Sequence, residues 1–199
     1  MRALHGLLCL GLGLSLSADP TSAQPAPRSI LVESPVLTSG DAMPRVYTPD
    51  GQNLSPPLTW SNLPDGTREI AVLCSDFGAG NPPPWVHWII YNIPSSATGL
   101  PEGIPFDPSE PVPEAIAGAT QGNNSWGLPM YRGPAPPGTS VHHYHFAVFA
   151  LDSELDLPPG LTRNELLDAI EGHVIGLGSM VPLYSRQPSS GGEPFTPTR

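Results

Sequence analysis

The run Trp85–Pro94 constrains the fold more than any other stretch of this sequence. It is rich in aromatic and β-branched residues, prolines precede it, and Pro94 and two serines close it. Such composition and boundaries are typical of a central strand in a sheet. The run contains one imidazole, His87, and a buried polar group needs a hydrogen-bond partner. We therefore expect other strands to bring polar side chains to His87.

Composition supports a strand-rich fold around this run. The 199 residues suit a single domain, and 28 prolines and 21 glycines favour many turns between short strands, with little helix. We predict an all-β (β-rich) chain. Eighteen acidic residues face eight arginines, there is no lysine, and the formal net charge is -10. That charge disfavours nucleic acid and anionic lipid surfaces as partners, so we expect no nucleic-acid binding.

The N-terminal 23 residues have the layout of a cleaved secretory signal. One arginine precedes an apolar run over 4–16, and small residues end at Ala23. The run is short for a membrane span of about 20 residues, although an uncleaved anchor is an alternative. We expect an exported protein, periplasmic or secreted, whose one remaining cysteine, Cys74, is buried and cannot form an internal disulfide. The predicted organisation is signal 1–23, flexible leader 24–29, domain 30–186 and flexible tail 187–199.

Two further core strands are predicted, and both end near polar side chains. The strand over 69–76 ends on the carboxylate of Asp76. In the strand over 142–151, period-two alternation places His142 and Tyr144 on one face and His143 and His145 on the other. These strands are the expected source of partners for His87.

The remaining elements are predicted from local signals. Prolines before Trp60 indicate an edge segment over 56–60, and 115–119 is a candidate short strand. Thr162 and Glu165 have capping-box spacing, and apolar residues follow at helical intervals, which predicts a helix from 163 to about 175.

Several motifs, taken in order and spacing, resemble the phosphatidylethanolamine-binding protein family, in particular its bacterial Raf-kinase-inhibitor-like branch. The resemblance spans roughly residues 30 to 186. Its motifs are Asp76 eleven positions before His87-Trp88, Asn92-Ile93-Pro94, Gly122-Asn123-x-x-x-Gly127, Tyr131-x-Gly133-Pro134-x-Pro136-Pro137-Gly138, His142-x-Tyr144-x-Phe146, Ala150-Leu151-Asp152 and Glu171-Gly172-His173-Val174.

The resemblance implies a Greek-key sandwich of two antiparallel sheets with one or two short C-terminal helices. It also implies a non-enzymatic binding protein, without a cofactor or metal, whose cavity takes a small anion or a phospholipid head group. Imidazoles and a phenol can donate hydrogen bonds to phosphate oxygens, and a carboxylate can orient an imidazole. Bacterial relatives suggest a homodimer. The implied ligand-binding residues are Asp76, Trp85, His87, Gly133, Pro134, His142 and Tyr144.

The sequence departs from the family pattern at the cavity. Where the family usually has Asp-Pro-Asp-Ala-Pro, this chain has Asp76-Phe77-Gly78-Ala79-Gly80, so the second acid is missing. Between the last histidine and tyrosine of the motif, where the family usually has an arginine, this chain has His143. Both departures leave the ligand preference open.

Alternative interpretations stay open from sequence alone. His87 could be a satisfied core residue, and Asp76 could only cap a strand end. The chain could instead be a protein inhibitor of a protease or kinase, with a protein target. A metal-dependent enzyme is suggested by His143-x-His145, but 147–151 supplies no carboxylate. The glycines around Ser125 have the wrong spacing for a serine hydrolase.

Overall fold

A computed structural model of the chain describes residues 26–80, 84–105, 107 and 110–186. The predicted signal peptide, the start of the leader and the predicted tail lie outside these residues. In chain order the strands are β1 (Arg28–Ser29), β2 (Leu31–Glu33), β3 (Leu58–Ser61), β4 (Glu69–Asp76), β5 (Trp85–Pro94), β6 (Gly99–Leu100), β7 (Thr120–Gln121), β8 (His142–Leu151), β9 (Val174–Met180) and β10 (Leu183–Tyr184).

The strands form two sheets, as the resemblance implies. The larger sheet has the order β1-β9-β8-β4-β5-β7, and β10 also pairs with β8. The smaller sheet has the order β2-β3-β6. All pairings between these strands are antiparallel except that of β1 with β9, which is parallel. The predicted β-rich sandwich is therefore confirmed.

The larger sheet is buried on both faces at its centre, because β4 is covered along its whole length. One face packs against the smaller sheet, where Val72, Trp88 and Phe146 join a core that includes Leu58 and Trp60. The opposite face packs against the single described α-helix through a second cluster. Removal of this apolar surface from water is the main favourable term in folding, at roughly 25 cal/mol per Å². Cys74 is buried in the first cluster, as predicted.

The helix α1 (Arg163–Ile170) begins where the sequence predicts. Thr162 accepts a hydrogen bond from the backbone N–H of Glu165, and the Glu165 side chain accepts one from Thr162, which completes a capping box. The prediction that the helix continues to about 175 is wrong, because β9 begins at Val174.

Strand β9 escapes prediction because two of its residues are glycines. A Cβ on Gly178 would lie 2.2 Å from the carbonyl oxygen of Ile30, and one on Gly176 would lie 2.9 Å from the ring of Pro64. Glycine therefore marks close approach of neighbouring chain segments to this strand.

Three other local predictions differ from the structure. The segment over 56–60 is not at an edge, because its prolines precede β3, which is the middle strand of the smaller sheet. The candidate strand over 115–119 is a 3-10 turn, Glu114–Ile116, and pairing starts at β7. The leader predicted up to residue 29 already contains β1, which pairs with β9.

Candidate functional site

A β-bulge in β5 sets the direction of His87. Cys74 pairs with Trp88 and Ser75 pairs with Val86, so His87 is an extra residue in the ladder. Strict alternation would place His87 with Ile89, on the side of α1. The bulge instead turns its ring toward Tyr144, on the other face, at 5.1 Å between ring centroids. Bulges commonly re-aim side chains in this way next to functional sites.

The hydrogen bonds of His87 fix its tautomer. Its Nδ1 lies 2.6 Å from the carbonyl oxygen of Arg132, and the backbone N–H of Arg132 donates to the carbonyl of His87 at 3.0 Å. Because a carbonyl oxygen only accepts, Nδ1 carries the hydrogen, and Nε2 of the neutral ring is an acceptor. Burial lowers the pKa of His87, against the opposing effect of the Arg132 carbonyl, and so favours the neutral ring.

Asp76 combines the two roles that the sequence left open. Its Oδ1 accepts a hydrogen bond from the backbone N–H of Gly78 at 2.8 Å, so it caps the end of β4. Its Oδ2 lies 2.6 Å from Nδ1 of His142 and orients that ring. The Asp76 side chain is 2% exposed and that of His142 is 14% exposed. The pair is therefore largely shielded from solvent.

Tyr144 lies beside Asp76 on the neighbouring strand β8. Burial, with a smaller contribution from the Asp76 charge, raises the pKa of Tyr144 far above its ordinary value. The phenol therefore keeps its proton and remains a hydrogen-bond donor. His142 lies two positions earlier on the same face, as the alternation predicts.

Asp76, His87, His142 and Tyr144 line one cavity of about 390 Å³, together with Trp85. These are five of the seven residues that the resemblance implies. All five are on strands that the sequence predicts, and the family resemblance is what implied that they line a cavity.

Gly133 and Pro134, the other two implied residues, are buried but are not among those that line the cavity. The backbone N–H of Gly133 donates to Oδ1 of Asn53 at 2.9 Å, and a Cβ there would lie 2.0 Å from the carbonyl oxygen of Tyr47. Gly133 thus anchors the loop. The next three residues of this loop, 135–137, line the cavity in their place.

Trp126 is a lining residue that sequence reasoning missed as a site residue. Its ring packs edge-on against Trp85 at 5.2 Å and against His87 at 5.3 Å. Trp126 occupies an unspecified position of the motif Gly122-Asn123-x-x-x-Gly127, so the motif did not single it out. The turn over 78–80 also lines the cavity, so Gly78 leaves space where the family usually has its second acid.

Within the described part of the chain, no arginine lines the cavity. Arg132 is close in sequence to the lining loop, but its guanidinium lies over the ring of Trp126, 4.5 Å from the centroid. Positive charge inside the cavity therefore depends on the protonation of histidines.

A metal centre finds no support in residues 26–80, 84–105, 107 and 110–186. No group of three or more histidine, cysteine, aspartate or glutamate residues there could hold a metal ion. His145 lies on the face opposite the cavity, and its ring packs edge-on against Phe77. Within the same residues, no helix is long and apolar enough to cross a membrane.

Comparisons with known proteins agree with this architecture. Residues 33–185 match the family model described as "Phosphatidylethanolamine-binding protein". A UPF0098 protein of Methanothermobacter thermautotrophicus is 43% identical over 144 residues, which cover 72% of this chain and 91% of that protein. The putative lipoprotein LppC of Mycobacterium tuberculosis is 33% identical over 169 residues, which cover 84% of this chain and 78% of that protein.

A solved structure is also similar. YbcL of E. coli, described as a new member of the mammalian PEBP family, superposes with a TM-score of 0.72 at 29% identity, covering 79% of this chain and 99% of that chain. The family model matches more than half of the chain, and the match includes strands β3 to β10 and the described residues that line the cavity. The chain therefore belongs to the phosphatidylethanolamine-binding protein family.

Proposed function

We propose that this protein binds a small phosphate-like anion or a phospholipid head group in the cavity, without catalysing a reaction on it. The observation that carries the proposal is the convergence of His87, His142 and Tyr144 on one cavity, with Asp76 orienting one of the imidazoles. The Tyr144 phenol can donate to a phosphate oxygen, and a neutral imidazole can accept a hydrogen bond from a protonated phosphate oxygen.

The size and walls of the cavity support a small ligand with an apolar part. A volume of about 390 Å³ lies in the range of pockets that hold small molecules. Trp85, Trp126 and the prolines of the 135–137 loop supply apolar surface around the few polar groups. Such walls suit the carbon atoms next to a head-group phosphate.

A binding role is favoured over catalysis by the residue types at the cavity. Among the described lining residues there is no serine, threonine, cysteine or lysine, and both oxygens of the Asp76 carboxylate are already engaged by Gly78 and His142. The buried thiol of Cys74 is unreactive, because burial raises its pKa well above the ordinary value.

We also propose that the protein is exported. The signal-like residues 1–23 support this proposal, as does the name of the relative LppC, a putative lipoprotein. Expression of the full chain in a bacterial host, followed by fractionation and N-terminal sequencing, tests it. Recovery outside the cytoplasm with Gln24 at the N-terminus is expected, and an intact cytoplasmic chain would contradict export.

Tryptophan fluorescence provides the binding test, because Trp85 and Trp126 line the cavity. Phosphate and phosphoethanolamine are titrated against the wild type, His87→Ala and a surface control, His173→Ala. We expect a saturable response in the wild type and the control, and about tenfold weaker affinity in His87→Ala, since a lost hydrogen bond to a charged group costs about 1.5–3 kcal/mol. Equal responses in all three proteins, or none, would overturn the proposal.

A further inference from the structure

The two imidazoles at the cavity have their hydrogens directed away from a ligand. Nδ1–H of His87 donates to the Arg132 carbonyl, and Nδ1–H of His142 donates to Asp76, each at 2.6 Å. When either ring is neutral, its Nε2 has only a lone pair to offer. The neutral cavity therefore presents two imidazole acceptors.

Among the polar and charged groups around His87, the Asp76 carboxylate adds a further hydrogen-bond acceptor to the cavity. Asp76 on β4 faces it with a carboxylate, β8 contributes His142 and the neutral phenol of Tyr144, and Arg132 in the facing loop directs its guanidinium to Trp126. Asp76 is the one acidic residue among the described residues that line the cavity. A ligand with only acceptor atoms thus meets one fixed negative charge and an excess of acceptors.

Phosphate and sulfate differ in whether they carry a proton that can be donated to the acceptors in the cavity. The two ions have similar size and shape, but at neutral pH phosphate and its monoesters carry or readily take up a proton, whereas sulfate is fully ionised and only accepts hydrogen bonds. A protonated oxygen can donate to an Nε2 lone pair or to Asp76, while the other oxygens accept from Tyr144.

We propose that the cavity selects oxyanions that carry a proton, such as hydrogen phosphate and protonated phosphomonoesters, over fully ionised oxyanions such as sulfate. This inference rests on the proposed function and narrows its ligand class to free phosphate and phosphomonoesters, because the diester phosphate of a phospholipid carries no proton to donate. The selectivity is set by Asp76 and by the Nε2 acceptors of His87 and His142.

Substitution of Asp76 by asparagine changes the donor and acceptor pattern while keeping the shape. The amide removes the negative charge, and its NH₂ group can donate to Nδ1 of His142. That bond moves the ring hydrogen of His142 to Nε2, where it becomes a donor to the ligand. Asp152→Asn is the matched control, because Asp152 pairs with His173 in the same way at 2.9 Å but does not line the cavity.

Calorimetric titration with inorganic phosphate and with sulfate, at neutral pH and equal ionic strength, tests the inference. The wild type is expected to bind phosphate at least about tenfold more tightly than sulfate, since a buried unmatched polar group costs about 1–3 kcal/mol. Asp152→Asn should keep this ratio, and Asp76→Asn should lower it about tenfold, mainly through tighter sulfate binding.

The outcomes separate the inference from the proposed function. Equal wild-type affinities for the two ions, or tighter sulfate binding, would overturn the inference and leave anion binding intact. Absence of binding by phosphate, sulfate and phosphoethanolamine would overturn both the inference and the proposed function. The wild-type ratio needs no variant, so the test stands even where Asp76→Asn does not fold.

Discussion

Two aspartate–histidine pairs in the described part of the chain have the same chemistry in opposite surroundings. Asp76 and His142 are 2.6 Å apart, with side chains 2% and 14% exposed. Asp152 and His173 are 2.9 Å apart, with side chains 43% and 39% exposed. The first pair lines the cavity, whereas the second joins the end of β8 to the turn before β9.

The difference shows how burial turns a common contact into a recognition element. At the exposed pair, water competes for every donor and acceptor, and such pairs contribute about 0–1 kcal/mol. At the buried pair, the carboxylate has fixed partners in His142 and Gly78, so the direction of each hydrogen bond is defined before a ligand arrives. Preorganisation of this kind reduces the entropic cost of binding.

The largest expected contrast is in stability. Asp76→Ala leaves Nδ1 of His142 and the N–H of Gly78 without their acceptor, so we expect a loss of about 2–4 kcal/mol in the free energy of unfolding. Asp152→Ala should cost about 0.5 kcal/mol or less. Urea unfolding followed by circular dichroism measures both. Similar losses in the two variants would contradict the assignment of different roles to the two pairs.

A smaller contrast is expected in the response to pH. Burial lowers the pKa of His87 in the folded state, whereas the unfolded chain takes up this proton near pH 6.5. The unfolded state therefore binds more protons just below that pH, and folding loses stability as the pH falls below about 6.5 toward the lowered folded-state pKa.

His87→Gln should flatten this slope, because the variant has no imidazole to charge. Unfolding free energies of the wild type, His87→Gln and the exposed control His173→Gln, measured across this range, make the comparison. An unchanged slope in His87→Gln, or an equal flattening in His173→Gln, would show that His87 is not the buried titrating group.

The smallest effect is expected at the exposed pair under acidic conditions. Hydrogen bonds from His173, and then from Ser153, lower the pKa of Asp152 below its ordinary value. Its contribution to stability is therefore present above about pH 3.9, the unfolded value, and is lost as the pH falls through the folded value. Asp152→Asn should remove at most about 0.5 kcal/mol at neutral pH and nothing at low pH. A larger loss would show that the exposed pair is not solvent-screened.

The sequence predicted most of the cavity but not its construction. Strand periodicity, a local property, placed Asp76 at a strand end and His142 with Tyr144 on one face, and the family resemblance implied that they line a cavity. The bulge at His87 could not be predicted in this way, since it depends on how β5 pairs with β4, and strict alternation points the ring to the wrong face. The family resemblance supplied that direction.

The errors in the fold have the same origin. The capping box located the start of α1. The end of α1 depends on β9, where close contacts with Ile30 and Pro64 leave room only for glycine at two positions. Those contacts lie far away in sequence. Likewise, the role of Trp126 follows from ring contacts with Trp85 and His87 that no local pattern records.

The most direct test of the account is the nitrogen NMR spectrum of the histidine rings, recorded with and without phosphate at neutral pH. We predict that His87 carries its hydrogen on Nδ1 in the free protein, and that phosphate shifts the Nε2 resonances of His87 and His142 while His173 stays unchanged. A hydrogen on Nε2 of neutral His87, or phosphate-induced shifts confined to His173, would contradict the assignment of His87 and His142 to the binding cavity.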